Sequence, residues 1–282
     1  MEDVAAVILA AGKGTRMKSD RPKVLHEVCG RSMVEQVIHT AGEAGCRRCI
    51  VITGFKGQDV RNAICEPVEF VDQAEQMGTG HAVLQTEPIL DGAREQYVLV
   101  ICGDTPLLRA ETLQGLIDAC CRHHASASVL TAVMENPNGY GRIIRDAGGA
   151  MKSIVEQKDG NPDELAVHEV NTGTYCFEVR ALFEALHQVK NDNVQGEYYL
   201  TDVFSILIRE GQTVIPVEAK SPEETLGVNS RRQLSEADHV LRRRKIFELM
   251  DSGVSVIDPD HTYIGQDVKN WAGLYFISGL YT

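Results

Sequence analysis

The sequence predicts an α/β fold: a doubly wound, mostly parallel sheet with helices on both faces. Three observations carry that expectation. Short apolar runs alternate with helix-like patterns over the first half of the chain. The runs are continuous rather than alternating, as in strands buried on both sides. Glycine-bearing loops follow several runs, as at the strand-to-helix turns of open sheets.

Val4–Leu9, Cys49–Thr53, Val68–Val71 and Tyr97–Cys102 read as buried strands, and Ser32–Ala44, Gly57–Ile64 and Gly80–Glu87 as the helices between them. Leu108–Cys121 reads as a further helix and Ala125–Val133 as a further strand. From about Asn136 the pattern loosens. Arg142–Ile144 and Ser153–Glu156 predict an inserted hairpin, and Asn171–Phe177 a return to the sheet. Tyr198–Glu210 and Ser230–Met250 are helical in pattern, with Arg242, Arg243 and Arg244 on a solvated face. Gly253–Pro259 is then followed by Thr262–Gly265, whose Ile264-Gly265 resembles one turn of a hexapeptide left-handed β-helix, a period not held beyond Val268. One or two turns cannot bury a solenoid core. The expected division is therefore 1–229 as the main domain, 230–252 as a linker helix, and 253–282 as the beginning of a second domain.

Composition narrows the function. A length of 282 residues and a hydrophobic share of 43% suit a globular protein of one large or two ordinary domains. No apolar run approaches 20 residues, and the first residues lack the pattern of a secretory signal, so a cytoplasmic protein is expected. The net charge of −12 argues against general nucleic-acid binding. Eight cysteines read as reduced core residues, and Cys49 of the Cys46-Arg-Arg-Cys49 pair opens a strand.

The opening loop carries the first chemical signal. After the strand ending at Leu9 come Ala10, Ala11, Gly12, Lys13, Gly14, Thr15, Arg16 and Met17. Small residues let backbone N–H groups approach phosphate oxygens. Lys13, Arg16, Lys18, Arg21 and Lys23 concentrate positive charge in an acidic chain, so the loop is read as anion-binding. It is neither a Walker A loop nor a dinucleotide fingerprint. Cys102, Gly103 and Asp104 follow a buried strand at the carboxyl edge, where open α/β sheets bind ligands. A carboxylate there suits Mg²⁺. Gln73–Ala82 forms a second glycine loop, whose His81 reads as a helix-start packing residue. No nucleophile–base pair stands out.

Taken together, Leu9–Met17, Pro22-Lys23, Gln73–Ala82, Gly103–Pro106, Gly139–Ile143, Ile154–Lys158, Glu169–Gly173 and Gly227–Arg231 resemble the sugar-phosphate nucleotidyltransferases. Within that family they are most similar to the uridylyltransferase domain of the bacterial bifunctional enzymes that make UDP-N-acetylglucosamine. The resemblance implies a Rossmann-like mixed sheet of the nucleotide-diphospho-sugar transferase type. It also implies the substrates UTP and N-acetylglucosamine 1-phosphate, Mg²⁺, and a place in bacterial cell-wall precursor supply. Leu9, Ala10, Ala11 and Gly12 would hold the nucleotide, and Arg16 and Lys23 would contact phosphates as the catalytic cations. Gln73, Gly78 and Thr79 would recognise uracil, with Cys102 and Gly103 as further nucleotide contacts. Asp104 and Asn229 would be the metal ligands. Gly141, Glu156 and Asn171 would bind the sugar. Full-length members add an acetyltransferase β-helix and form trimers through it. The sugar phosphate is already an anion near neutral pH, so it needs no general base. Two other readings stay open: another sugar 1-phosphate and nucleotide pair on the same fold, and a non-catalytic nucleotide-sugar sensor.

Overall fold

A computed structural model describes residues 3–269 and the backbone of Tyr275–Phe276. The main sheet has nine strands: β1 (Val4–Leu9), β2 (Arg48–Thr53), β3 (Glu69–Asp72), β4 (Tyr97–Cys102), β5 (Ala127–Val133), β6 (Gly141–Arg145), β7 (Met151–Val155), β8 (Glu169–Glu178) and β9 (Val214–Glu218). Seven run in the order β9-β5-β8-β4-β1-β2-β3, and β6 and β7 extend off β8 as the expected hairpin. Strands β4, β1, β2 and β3 are parallel neighbours. Strand β8 runs antiparallel to both β4 and β5, so the sheet is mixed, as the resemblance implies, and less parallel than the apolar runs alone suggest.

The continuous apolar runs have the expected cause. Ala5 and Val7 of β1 face one core, beneath the helices Val179–Leu186 and Asp202–Arg209. Val4, Ala6 and Ile8 face the other, beneath Met33–Glu43 and Ala110–Arg122. Every β1 residue therefore needs an apolar side chain. Chain order reverses at β1, which lies between β4 and β2. The carboxyl ends of β1 and β4 thus open a crevice at a topological switch point.

Several expectations need correction. The helix expected over Tyr198–Glu210 begins only at Asp202, because the Tyr198 backbone is committed elsewhere: its N–H donates to Met77 O and its carbonyl accepts from Gly80 N, both at 2.8 Å. The helix expected over Gly80–Glu87 spans Thr79–Leu84, and a separate turn, Glu87–Leu90, follows with Pro88 near its start. Helix Val179–Leu186 and strand β9 have no counterpart in the sequence reading. The first follows β8 without a turn signal, started by the Glu178 side chain accepting from Ala181 N. The second contains Pro216, which an edge strand tolerates.

Helix Arg231–Asp251 is anchored by Ala237 and Leu241 against Val28, Met33, Leu107 and Val228. Its arginine run is not a uniformly solvated face. Arg242 pairs with Asp238 and stacks on Tyr263, 4.1 Å from the ring centroid. Arg244 turns inward and donates to Leu107 O at 2.6 Å. Beyond it, Ser255–Val256 pairs in parallel with Tyr275–Phe276. The remainder of the expected second-domain start, residues 270–274 and 277–282, lies outside the described residues. Cys46 and Cys49 have thiols raised by burial, to about 12 and about 11, so neither is a ready nucleophile.

Candidate functional site

The loop after β1 is shaped by one buried side chain. Met17 is fully buried and closes a single 3-10 turn, Thr15–Met17, with its N–H donating to Gly14 O at 3.0 Å. Arg16, next to this anchor, is exposed. Gly14 has a left-handed backbone, φ +59°, and a Cβ there would lie 2.4 Å from Lys23 Cβ. Glycine is required twice over: for the turn, and to let the Lys23 stem lie against it.

Lys23 is the centre of the cluster. Its ammonium donates to the Asp104 carboxylate and, at 3.0 Å, to Asn229 Oδ1. Asp104 follows β4, whose end is tied to β1 by Gly103 N donating to Leu9 O at 2.9 Å. Asn229 arrives from far along the chain: Val228 N donates to Asp104 O at 2.8 Å, and Asn229 N donates to Gln233 Oε1 at 2.9 Å. The two expected metal ligands are therefore side by side, with their oxygens turned toward one cation. The helix after Asp104 starts at Ala110, so Asp104 is not its cap.

A cavity of about 290 Å³ extends from this cluster along Leu9–Gly12 to Gln73, Gly78 and Thr79, with Cys102 in its wall. At the far end, Gln73 Nε2 donates to Gly78 O at 3.0 Å and lies 3.2 Å from His81 Nδ1. With its amide nitrogen so engaged, Gln73 keeps its oxygen as a free acceptor. His81 does start a helix, as expected, and it also braces Gln73 from behind. Thr79 Oγ1 accepts from Leu200 N at 3.1 Å, which ties this loop to the segment after Tyr198.

The three expected sugar contacts also converge. A Cβ on Gly141 would lie 3.5 Å from Glu156 Oε1 and 3.5 Å from Asn171 Cβ. Asn171 donates to the Tyr175 hydroxyl at 2.8 Å, and Thr201 donates to Glu156 Oε1 at 3.0 Å. Burial raises the Glu156 carboxyl above its ordinary range. Asp159, Asp202 and Glu197 raise it further, against the lowering effect of Thr201. Gly173, left-handed at φ +78°, leaves room for Cys102 Sγ, which a Cβ there would approach to 3.3 Å. The Cys102 thiol is pushed up to about 12, first by burial and also by Asp104 and Glu156, with Lys23 opposing. Cys102 thus lies between the Lys23 cluster and the Glu156 cluster, and it stays protonated.

Sequence reasoning missed four supporting residues. Thr201 and Tyr175 brace the Glu156 and Asn171 side chains. Tyr140 lies near Asp104 and Arg16. Arg142 is almost wholly buried with no carboxylate partner among the described residues, and it donates to Tyr140 O and, at 3.0 Å, to Gln157 Oε1. Gln157 in turn accepts from Gly139 N at 3.1 Å. Arg142 therefore fixes the loop that leads into Gly141. The signal for it was an arginine inside a strand pattern, where a cation seldom sits without a partner.

The chain is 50% identical over 264 residues to the bifunctional protein GlmU of a Geobacillus species, covering 94% of this chain and 57% of that protein. It is 48% identical over 268 residues to the bifunctional protein GlmU of Bacillus subtilis, covering 95% and 58%. The chain thus spans rather more than half the length of these relatives. A solved UDP-glucose pyrophosphorylase, complexed with UDP-glucose, superposes with a TM-score of 0.67 over 86% of this chain and 100% of its own, at 19% identity, and so shares the fold. No helix among the described residues is long and apolar enough to cross a membrane. The sequence profile of the MobA-like NTP transferase domain matches residues 6–203, the stretch holding most of β1 and the loop after it, the Gln73 loop, Asp104 and the Glu156 cluster. The chain belongs to that family.

Proposed function

We propose that the chain transfers UMP from UTP to N-acetylglucosamine 1-phosphate, giving UDP-N-acetylglucosamine and pyrophosphate in the cytoplasm as a cell-wall precursor. The observation that carries this reading is the single cavity joining the Lys23–Asp104–Asn229 cluster to Gln73. Gln73 offers an acceptor, which suits the N3–H of uracil and not the unprotonated N3 of cytosine. The similarity to bifunctional GlmU proteins supports the sugar assignment.

The donor set fits a divalent cation, and Mg²⁺ in particular. One carboxylate and one amide oxygen already converge on a single cation, the Lys23 ammonium, and Mg²⁺ favours one or two carboxylates completed by phosphate oxygens. Asp104 and Asn229 would hold it, and when bound it supplies charge neutralisation at the α-phosphate. The chain's own residues do the rest. Leu9–Gly12 present backbone to the phosphates, Lys23 and Arg16 offset the repulsion between two anions, and Gly141, Glu156 and Asn171 position the sugar. A sugar phosphate oxygen bonds to the α-phosphorus, and the bridging oxygen leaves with pyrophosphate. We assign residues 1–229 to this reaction, 230–252 to a linker, and 253–282 to the first part of a left-handed β-helix. The parallel pairing of Ser255–Val256 with Tyr275–Phe276 supports that last assignment, and trimerisation is proposed through the complete β-helix.

The test is pyrophosphate release with Mg²⁺, crossing UTP, CTP and dTTP against N-acetylglucosamine 1-phosphate and glucose 1-phosphate. Preference for UTP with the N-acetylated sugar, abolished by EDTA, is expected. Preference for another pair discards the base or sugar assignment. Binding of UDP-sugars without turnover would mean a sensor. Arg16→Ala should lower kcat more than it raises KM for UTP, because a phosphate cation matters most as charge develops.

Glu156 gives a pH signature. Its carboxyl is raised, so it ionises above the ordinary carboxylate range. The ionised form accepts hydrogen bonds from sugar hydroxyls at both oxygens. Affinity for UDP-N-acetylglucosamine should therefore strengthen as pH rises through that raised range, and Glu156→Gln should flatten the profile. The stability sign is opposite. A raised carboxyl contributes most below its unfolded value and loses that contribution as pH rises through the folded one. Glu156→Gln should thus melt above the wild type at neutral pH, with the gap closing in acid.

A further inference from the structure

The helix Arg231–Asp251 buries only a short apolar stripe against the main domain: Ala237 and Leu241, with Leu234 and Val240 partly buried beside them. Three of its polar side chains add to that grip, and each reaches a main-chain group. Arg231 Nε donates to Met17 O at 3.2 Å, Asp238 Oδ1 accepts from Cys29 N at 2.8 Å, and Arg244 Nη1 donates to Leu107 O at 2.6 Å. Met17 ends the loop after β1, Cys29 is left-handed at φ +50°, and Leu107 lies between β4 and the helix that starts at Ala110. A bond to the main chain fixes where a loop runs, whatever side chains the loop carries.

The Leu107 contact lies in the same loop as a metal ligand of the proposed site. Residues 103–109 form neither helix nor strand, and Asp104 stands within them. The stretch is held at two carbonyls: Asp104 O accepts from Val228 N at 2.8 Å, and Leu107 O accepts from Arg244. The Leu107 side chain packs in the same cluster as Ala237 and Leu241. Asn229 is tied to the other end of the same helix, its N–H donating to Gln233 Oε1 at 2.9 Å. Both expected metal ligands are thus referenced to one rigid element. Arg244 is kept at a cost. It is half-buried, and burial lowers its pKa, with Arg109 adding to that effect and Glu223 and Glu224 opposing it. Among the described residues it has no ion-pair partner. An apolar side chain would pack there without that cost. What the guanidinium adds is its hold on Leu107 O.

We propose that Arg244 is a positioning residue for the metal site: by holding Leu107 O it sets where Asp104 stands relative to Asn229, with the helix Arg231–Asp251 as their common frame. This rests on the reading of Asp104 and Asn229 as the metal ligands. Mg²⁺ demands near-ideal octahedral geometry, so a small shift of one donor costs affinity. Residues that orient a ligand without touching the metal commonly change its affinity by about 10- to 100-fold. The helix is then part of the transfer machinery and not only a spacer.

The experiment compares the full-length wild type with Arg244→Met, Arg244→Lys and Arg243→Met. Methionine keeps an apolar stem and removes the donors. Arg243 is an exposed neighbour on the same helix, 5.2 Å from the Phe247 ring centroid. Three quantities are read: Mn²⁺ affinity by titration, hydrogen exchange of peptides spanning 103–109, and UMP transfer with Mg²⁺. Arg244→Met should raise Kd for Mn²⁺ on the order of tenfold and speed exchange over 103–109. It should lower kcat more than it raises KM for UTP, and added Mg²⁺ should recover part of the loss. Selectivity for UTP over CTP should hold, because Gln73 stands at the other end of the cavity. Arg244→Lys should recover most of the Mn²⁺ affinity, and Arg243→Met should match the wild type. A Kd within twofold of wild type in Arg244→Met overturns the proposal, even if the melting temperature falls, since that is a structural role alone. An equal shift in Arg243→Met overturns it too. If Arg244→Met does not fold, the wild type still decides. Coupling is reciprocal, so Mn²⁺ should slow exchange over 240–246 as well as over 103–109. Slowing over 103–109 alone overturns the proposal. Asp104→Ala separates the two readings. If it leaves Mn²⁺ binding intact, the metal assignment falls and the inference with it. If it abolishes binding while Arg244→Met leaves Kd unmoved, the inference alone falls.

Discussion

Asp104→Ala should lower kcat for UMP transfer by about a thousandfold, equivalent to about 4 kcal/mol of transition-state stabilisation. Two losses combine. Half of the protein's oxygen pair for the cation disappears, and the Lys23 ammonium loses its carboxylate partner. Both changes act where charge develops on the α-phosphate, so kcat should fall much more than KM for UTP rises. The loss is not an unfolding effect. The contact docking the Asn229 segment uses the Asp104 backbone carbonyl, which alanine retains. The melting temperature should therefore shift little, and Mn²⁺ binding, read separately, should weaken sharply. Asp104→Asn keeps an acceptor for Lys23 without the charge, and its kcat should lie between the two. A kcat within a few-fold of wild type in Asp104→Ala would sink the metal assignment.

The same cluster shows which parts of the site a sequence can carry. The loop from Leu9 to Met17 was legible because its causes are local: a strand that must be apolar on both faces, then residues small enough for a turn and a phosphate. Asp104 was legible as a residue just past a buried strand. Its pairing with Asn229 was not, because nothing local joins two residues so far apart. Only resemblance placed them together, and Val228 N on Asp104 O is the physical link. The mixed sheet has the same explanation. An antiparallel β8 has the same apolar pattern as a parallel strand, since both faces are covered in either case. His81 behind Gln73, Thr201 on Glu156 and the inward turn of Arg244 all depend on a partner from another element. Patterns of period two or near four report which face is buried, and they are silent on partners.

Gly78→Ala should raise KM for UTP on the order of 10- to 100-fold and destabilise the fold by about 2 kcal/mol. Gly78 has φ +112°, and a Cβ there would lie 2.5 Å from Tyr198 O and 2.8 Å from Tyr198 N. Those are backbone atoms, and they cannot step aside cheaply. Tyr198 is held on both sides, its N–H by Met77 O and its carbonyl by Gly80 N, so the strain falls on the 77–80 loop itself. Gly78 O is also what orients the Gln73 amide. Once that carbonyl moves, the Gln73 oxygen is no longer fixed toward the cavity, and discrimination of UTP against CTP should fall with affinity. Gly12→Ala is the informative contrast. It has no heavy atom within 4 Å of an added Cβ and no left-handed backbone. The free protein should tolerate it with an unchanged melting temperature, and any rise in KM for UTP would come from the methyl group meeting a phosphate. If Gly78→Ala bound UTP normally, the Gln73 loop would not be the base-recognition element. If Gly12→Ala did so, the phosphates would not approach the backbone at that point.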